Sequence, residues 1–187
     1  VSKLKWLSRF IYAYIFTIRG TPLLVQIYLI YFGLAQIKAV RESVFWLVLK
    51  EPFYCGILAL IINTVAYSTE IIRGGIESVK IGQIEACKSL GMNRYMMYRK
   101  VILPIAFRQA LPGYGNEMIL MVKATSLVSL TTYMEMTGIA RNIMAKTFAP
   151  IEAFLAAGTI YLLLNFIVVQ LIKFLEWKYN PHLRLHT

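Results

Sequence analysis

Residues 153–172 contain no charged side chain over twenty positions, and nothing else in the chain limits the fold so strongly. A helix of that length rises about 30 Å, which matches the hydrocarbon core of a bilayer. Residues 52–69 and 20–37 are uncharged for eighteen positions each. A fourth apolar candidate, within 108–152, is interrupted by Glu117 and Lys123. The composition agrees, with 58% hydrophobic and 16% charged residues, where a soluble domain carries roughly 25% charge. The sequence therefore predicts an all-α integral membrane protein with four spans, near 23–37, 52–72, 105–130 and 151–174.

The net charge of +11 is not spread evenly. Residues 1–19 contribute +4 without a single acid, residues 73–108 contribute +5, and the tail from Lys173 contributes +2, which together make the whole excess. Lys and Arg clustered beside spans mark the cytoplasmic side. Four spans with a cytoplasmic N-terminus reproduce that alternation. Nucleic-acid binding, the usual partner of a basic chain, is excluded by the uncharged spans between the clusters.

This topology puts Cys55 and Cys87 on opposite sides of the bilayer, so no disulfide joins them. His182 and His186, four apart near the end of the chain, are too few for a structural zinc site and read as a solvated tail. No metal site is expected. The chain starts at Val1, and the apolar run 10–18 lacks the flanks of a signal peptide. A fragment without its true N-terminus is expected.

Between the spans the chain is punctuated. Residues 1–19 read as an interfacial approach, and Pro22 suits a first helical turn. Residues 38–51 form an external connection with a short helix around 44–49. The run Arg73-Gly74-Gly75 is expected to end or bend the second span. Residues 76–104 form a cytoplasmic insert of two short helices, joined at a left-handed Gly91. Pro104 allows a change of direction into the next element, and Pro112, Gly113 and Gly115 are expected to make the inner half of the third span irregular. Residues 131–150 re-enter on the outside, and Trp177 and Tyr179 suit an interfacial aromatic belt. A single domain over 1–187 is the simplest division.

Two groups of residues carry chemistry. The insert sets Tyr95, Met96, Met97 and Tyr98 beside Arg94 and Arg99, a mixture that favours a protein interface over a hydrated loop. Polar side chains inside spans are functional candidates, and here they are Asn63, Glu117, Lys123 and Ser126, with Glu70 near a span end. The competing readings are an interhelical hydrogen bond for Asn63 and Ser126 and an interfacial ion pair between Glu70 and Arg73.

The insert also resembles the EAA loop in permease subunits of ATP-binding-cassette importers. That pattern reads E-A-A-x-x-x-G, nine residues, then I-x-L-P. Glu85, Ala86, Gly91, Leu103 and Pro104 match it at the right spacing, with Cys87 for the second Ala and Val101 for the Ile. The stretches 19–26 (R-G-T-P-L-L-V-Q), 63–76, 111–117 and 123–127 are similar to spans of the polar amino-acid permeases. The resemblance covers nearly the whole chain and, with 139–143, lies nearest the histidine/lysine-arginine-ornithine branch and its opine-transporting relatives. It implies the type I importer permease fold, with five spans in an intact chain and an N-terminal helix missing here. Glu85, Ala86, Gly91, Leu103 and Pro104 would couple to the ATPase. Asn63, Tyr67, Glu70, Glu117, Lys123 and Ser126 would line the substrate path. Many relatives carry Asp where this chain has Ala124.

The implied partners are a homologous or identical second permease, two ABC ATPase subunits, a periplasmic solute-binding protein and the lipid of a bacterial inner membrane. The implied solute is a cationic amino acid or an opine. ATP and Mg would be bound by the ATPase, with no cofactor in this chain. Enzymatic readings lack support: there is no G-x-x-x-x-G-K-[ST], H-E-x-x-H or G-x-S-x-G. An ion-coupled secondary transporter is the alternative.

Overall fold

The computed structural model describes residues 5–179. Among them every regular element is a helix: α1 (Lys5–Gly20), α2 (Leu23–Tyr28), α3 (Leu34–Gln36), α4 (Lys38–Arg41), α5 (Trp46–Leu49), α6 (Pro52–Glu77), α7 (Ile81–Ser89), α8 (Arg94–Met97), α9 (Leu103–Ala124), α10 (Met136–Thr147) and α11 (Pro150–Tyr179). Wide π turns at Leu29–Gly33 and Tyr98–Ile102 join α2 to α3 and α8 to α9, and a 3-10 segment, Thr125–Thr131, follows α9. His182 and His186 lie outside the described residues.

Among the described residues two helices, α6 and α11, are long and apolar enough to cross a membrane. A third crossing is available if α1 and Leu23–Gln36, bent by 106° at the break between them, are one span. The 22-residue α9 is long enough, at about 1.5 Å per residue, but carries Arg108, Asn116, Glu117 and Lys123 along its length.

The described residues form two compact units, 5–67 with 120–165 and 68–119 with 166–179. In the first, Ile27 and Ala59 are fully buried with Val128, and Leu23, Leu60 and Tyr133 pack around them. In the second, Val79, Cys87, Met97 and Ile102 form a small core within and beside the insert.

At three positions marked by glycine or proline the helix continues, each for a physical reason. The helix α6 runs through Arg73-Gly74-Gly75 to Glu77. There the Arg73 guanidinium clamps along the helix, donating to both carboxylate oxygens of Glu70 (Nε–Oε1 3.0 Å, Nη2–Oε2 2.7 Å) and to Glu77 (2.6 Å). Gly75 is buried, and a Cβ on it would lie 2.6 Å from the Ala106 carbonyl oxygen, so the glycine permits a close crossing of α6 and α9 instead of ending α6. At Pro104 the helix is continuous from Arg94 to Ala124. The π turn just before it widens the spiral where the pyrrolidine ring would otherwise strike the carbonyl of the preceding turn. Pro112 likewise sits inside an unbroken α9. A membrane helix accommodates such a residue when neighbours satisfy the freed carbonyl.

Candidate functional site

The insert is built by local capping. Gln83 Oε1 accepts the Lys80 N–H at 3.2 Å where α7 begins. Its C-terminus is a Schellman turn: the Gly91 N–H donates to the Lys88 carbonyl at 2.9 Å and the Met92 N–H to the Cys87 carbonyl at 3.1 Å. Gly91 has φ +71°, the left-handed conformation expected of it. Met92 folds back onto the cluster that holds Cys87, the hydrophobic contact that accompanies this motif. Asn93 then caps α8, its Oδ1 accepting the Met96 N–H at 2.8 Å. Cys87 occupies the second-Ala position of the EAA pattern and is buried as a small apolar side chain, with a free thiol.

The expected coupling residues are accessible. Glu85, Ala86 and Gly91 are exposed, Leu103 is half exposed and Pro104 is partly buried. Beside them Ile81, Leu90 and Tyr95 are 70% or more exposed. An apolar and aromatic surface with a basic border results, since Arg94, Arg99 and Lys100 are also exposed. The Tyr95 hydroxyl accepts from Arg99 at 3.3 Å.

The polar span residues divide. Asn63 is buried and its Nδ2 donates to Gln26 Oε1 at 3.0 Å. Tyr67 lies under the Arg19 guanidinium, 5.2 Å from its ring centroid. Glu70 is held by Arg73 as described. Glu117 is buried, whereas Lys123 is exposed. The Ser126 hydroxyl turns back to the Lys123 carbonyl at 2.6 Å, so its donor is used within its own turn.

Gln26 was not singled out by the sequence reading, yet it organises the bend between α1 and α2. Pro22 has no N–H to offer the Ile18 carbonyl four residues earlier. Gln26 Nε2 supplies the missing donor at 2.7 Å and also bonds the Thr21 carbonyl (3.1 Å) and hydroxyl (2.8 Å). Its oxygen remains for Asn63. The available signal was an amide four residues after a proline in an uncharged run. In the same unit, Glu135 caps α10 by accepting the Gly138 N–H at 2.9 Å and takes the Tyr161 hydroxyl at 2.9 Å. No cluster of metal-ligating side chains occurs among the described residues.

Comparison with known proteins places this geometry. The chain is 50% identical over 185 residues to the nopaline transport system permease protein NocM of Agrobacterium fabrum (strain C58), covering 98% of this chain and 77% of that protein. It is 52% identical over 184 residues to the octopine transport system permease protein OccM of Rhizobium radiobacter, covering 98% and 75%. Identity to the histidine/lysine/arginine/ornithine permease protein HisM of Escherichia coli K12 is 38% over 185 residues, covering 98% and 78%. A solved structure described as an amino acid ABC transporter with histidines superposes with a TM-score of 0.83 at 38% identity, over 95% of this chain and 78% of that one. Residues 1–180 match the model of one family, and the chain belongs to it: the inner membrane components of binding-protein-dependent transport systems.

Proposed function

We propose that this chain is the permease subunit of an ABC importer that takes up cationic amino acids or opines. The observation that carries the reading is near-complete alignment at half identity with nopaline and octopine permeases. The exposed apolar surface of the insert supports it, because that surface has the chemistry of a docking site. The chain is an integral membrane transport component and not an enzyme, and family membership brings ATPase, binding-protein and second-permease partners. An ion-coupled carrier is set aside on the same ground.

The finer assignments are ours. Residues 1–187 act as one permease domain in a bacterial inner membrane, crossing it four times, with α9 as the third crossing. Two ATPase subunits hold ATP and Mg, and a homologous or identical permease completes the path. Glu85, Ala86, Gly91, Leu103 and Pro104 transmit ATPase closure, which rocks the spans between inward-open and outward-open states. Asn63, Tyr67, Glu70, Glu117, Lys123 and Ser126 belong to the substrate path.

Two measurements test this. Vesicles carrying the assembled complex should take up labelled arginine or octopine, with competition from other basic solutes. Competition only by neutral or acidic amino acids would overturn the substrate class. Gly91→Val should leave ATP hydrolysis running while uptake falls roughly tenfold, because a β-branched residue at this φ costs about 1–2 kcal/mol in the turn that presents the docking surface. A Cβ there meets nothing within 4 Å, so the effect comes from backbone conformation alone. Gly91→Asn, which tolerates the left-handed region, should keep most of the uptake. Full coupling in the valine variant would refute the assignment.

A further inference from the structure

We propose that α1 is an interfacial arm that recruits anionic phospholipid headgroups, in addition to any role in transport. The inference rests on the chain's membrane placement and not on the identity of the solute. The 106° bend comes first. Two helices at that angle cannot both run along the membrane normal; with the uncharged Leu23–Gln36 entering the bilayer, the charged α1 is the one that runs close to the membrane plane.

The exposed surface of α1 mixes basic and aromatic side chains. At about 100° per residue, Ser8, Arg19, Lys5 and Arg9 fall within one arc of about 100°, with Tyr12 and Phe16, each 70% exposed, between them. One flank of the remaining, apolar arc is covered by this chain: Ile15 is buried, Leu7, Tyr14 and Ile18 are partly buried, and the Tyr14 hydroxyl donates to the Ile62 carbonyl at 2.6 Å. The other flank carries Trp6 and Phe10, which are 68% and 69% exposed. A helix with one flank on protein and exposed aromatics interleaved with basic residues on the rest fits a membrane–water boundary, where aromatic rings and Lys/Arg both sit at headgroup level.

Charge complementarity selects the lipid. Residues 1–20 hold no acidic side chain, so nothing on the arm neutralises Lys5 and Arg9, and both are exposed. Basic residues at this depth attract anionic headgroups. The bend itself is fixed by Gln26 bonding the carbonyls of Ile18 and Thr21, which holds the arm at its angle.

Trp6 is one of three tryptophans, so Trp46→Phe with Trp177→Phe leaves it as the sole tryptophan of this chain, and the same complex with Trp6→Phe gives the partner subunits' background to subtract. The assembled transporter carrying these changes is reconstituted in vesicles containing brominated lipid. Bromines at carbons 6 and 7 should quench Trp6 more than bromines at carbons 11 and 12. Brominated phosphatidylglycerol should quench it more than brominated phosphatidylcholine at equal mole fraction, by roughly fivefold in local enrichment. Lys5→Gln with Arg9→Gln should remove the headgroup preference, and Lys5→Arg with Arg9→Lys should retain it. Absence of quenching, meaning that a second permease or other protein covers Trp6, overturns the proposal. So does deeper quenching at carbons 11 and 12, or an enrichment equal for both headgroups. The depth and headgroup readings need no charge variant, so a poorly folding double mutant leaves the test intact.

Discussion

Gly75→Val should abolish recovery of a folded transporter, while Gly74→Ala, one residue away, should be neutral or mildly stabilising. A Cβ at residue 75 would sit 2.6 Å from the Ala106 carbonyl oxygen and 3.2 Å from the Ala110 Cβ. The obstacle is backbone, which cannot rotate aside as a side chain can, so α6 and α9 must separate along the crossing. Overpacking a tight contact costs about 1–3 kcal/mol, and valine adds two methyl groups to the clash. At residue 74 a Cβ meets nothing within 4 Å, and Gly to Ala inside a helix is worth about 0.5–1 kcal/mol in its favour. Thermal unfolding in detergent, read beside the yield of assembled complex, separates the two. Equal behaviour of the two variants would mean that this close helix approach does not exist.

The second large effect is expected at Gln26. Gln26→Leu preserves volume but leaves the Thr21 carbonyl without its side-chain donor, the Ile18 carbonyl with only the Thr21 hydroxyl at 3.5 Å, and Asn63 without its acceptor. An unsatisfied buried polar group costs about 1–3 kcal/mol, so the loss here should reach several kcal/mol and the angle between α1 and α2 should loosen. Asn63→Leu removes only the interhelical bond, which averages about 0.6 kcal/mol in membrane proteins. The glutamine variant should therefore unfold at a clearly lower temperature than the asparagine variant. A matching loss from both would show that the Asn63 contact, and not the repair of the bend, is what Gln26 contributes.

The parts of the fold that were legible in the sequence are those written in local chemistry. Uncharged runs give α6 and α11 because lipid excludes charge whatever the neighbours are. The insert was legible because Gly91 must be left-handed for the chain to turn, and its capping is completed within a few residues. The misread positions are glycines and prolines whose meaning depends on a distant partner. Gly75 looked like a helix breaker, but its role is set by Ala106 and Ala110, some thirty residues away. Pro104 looked like a corner because a π turn leaves no sequence mark of its own. Among the polar candidates, Asn63 was visible as a buried amide, whereas Gln26 acquires its role from the donor that Pro22 lacks.

The π turn at Tyr98–Ile102 has one more consequence. It contains the extra residue that separates an i to i+5 loop from an ordinary helical turn. Each residue along a helix turns the spiral by about 100°. The loop therefore sets the phase between the face that α8 offers with Tyr95 and the face that α9 packs with Ala106 and Ala110. Deleting a single residue there would keep every side chain on both helices, yet point the insert at the wrong azimuth relative to the membrane helix that continues from it.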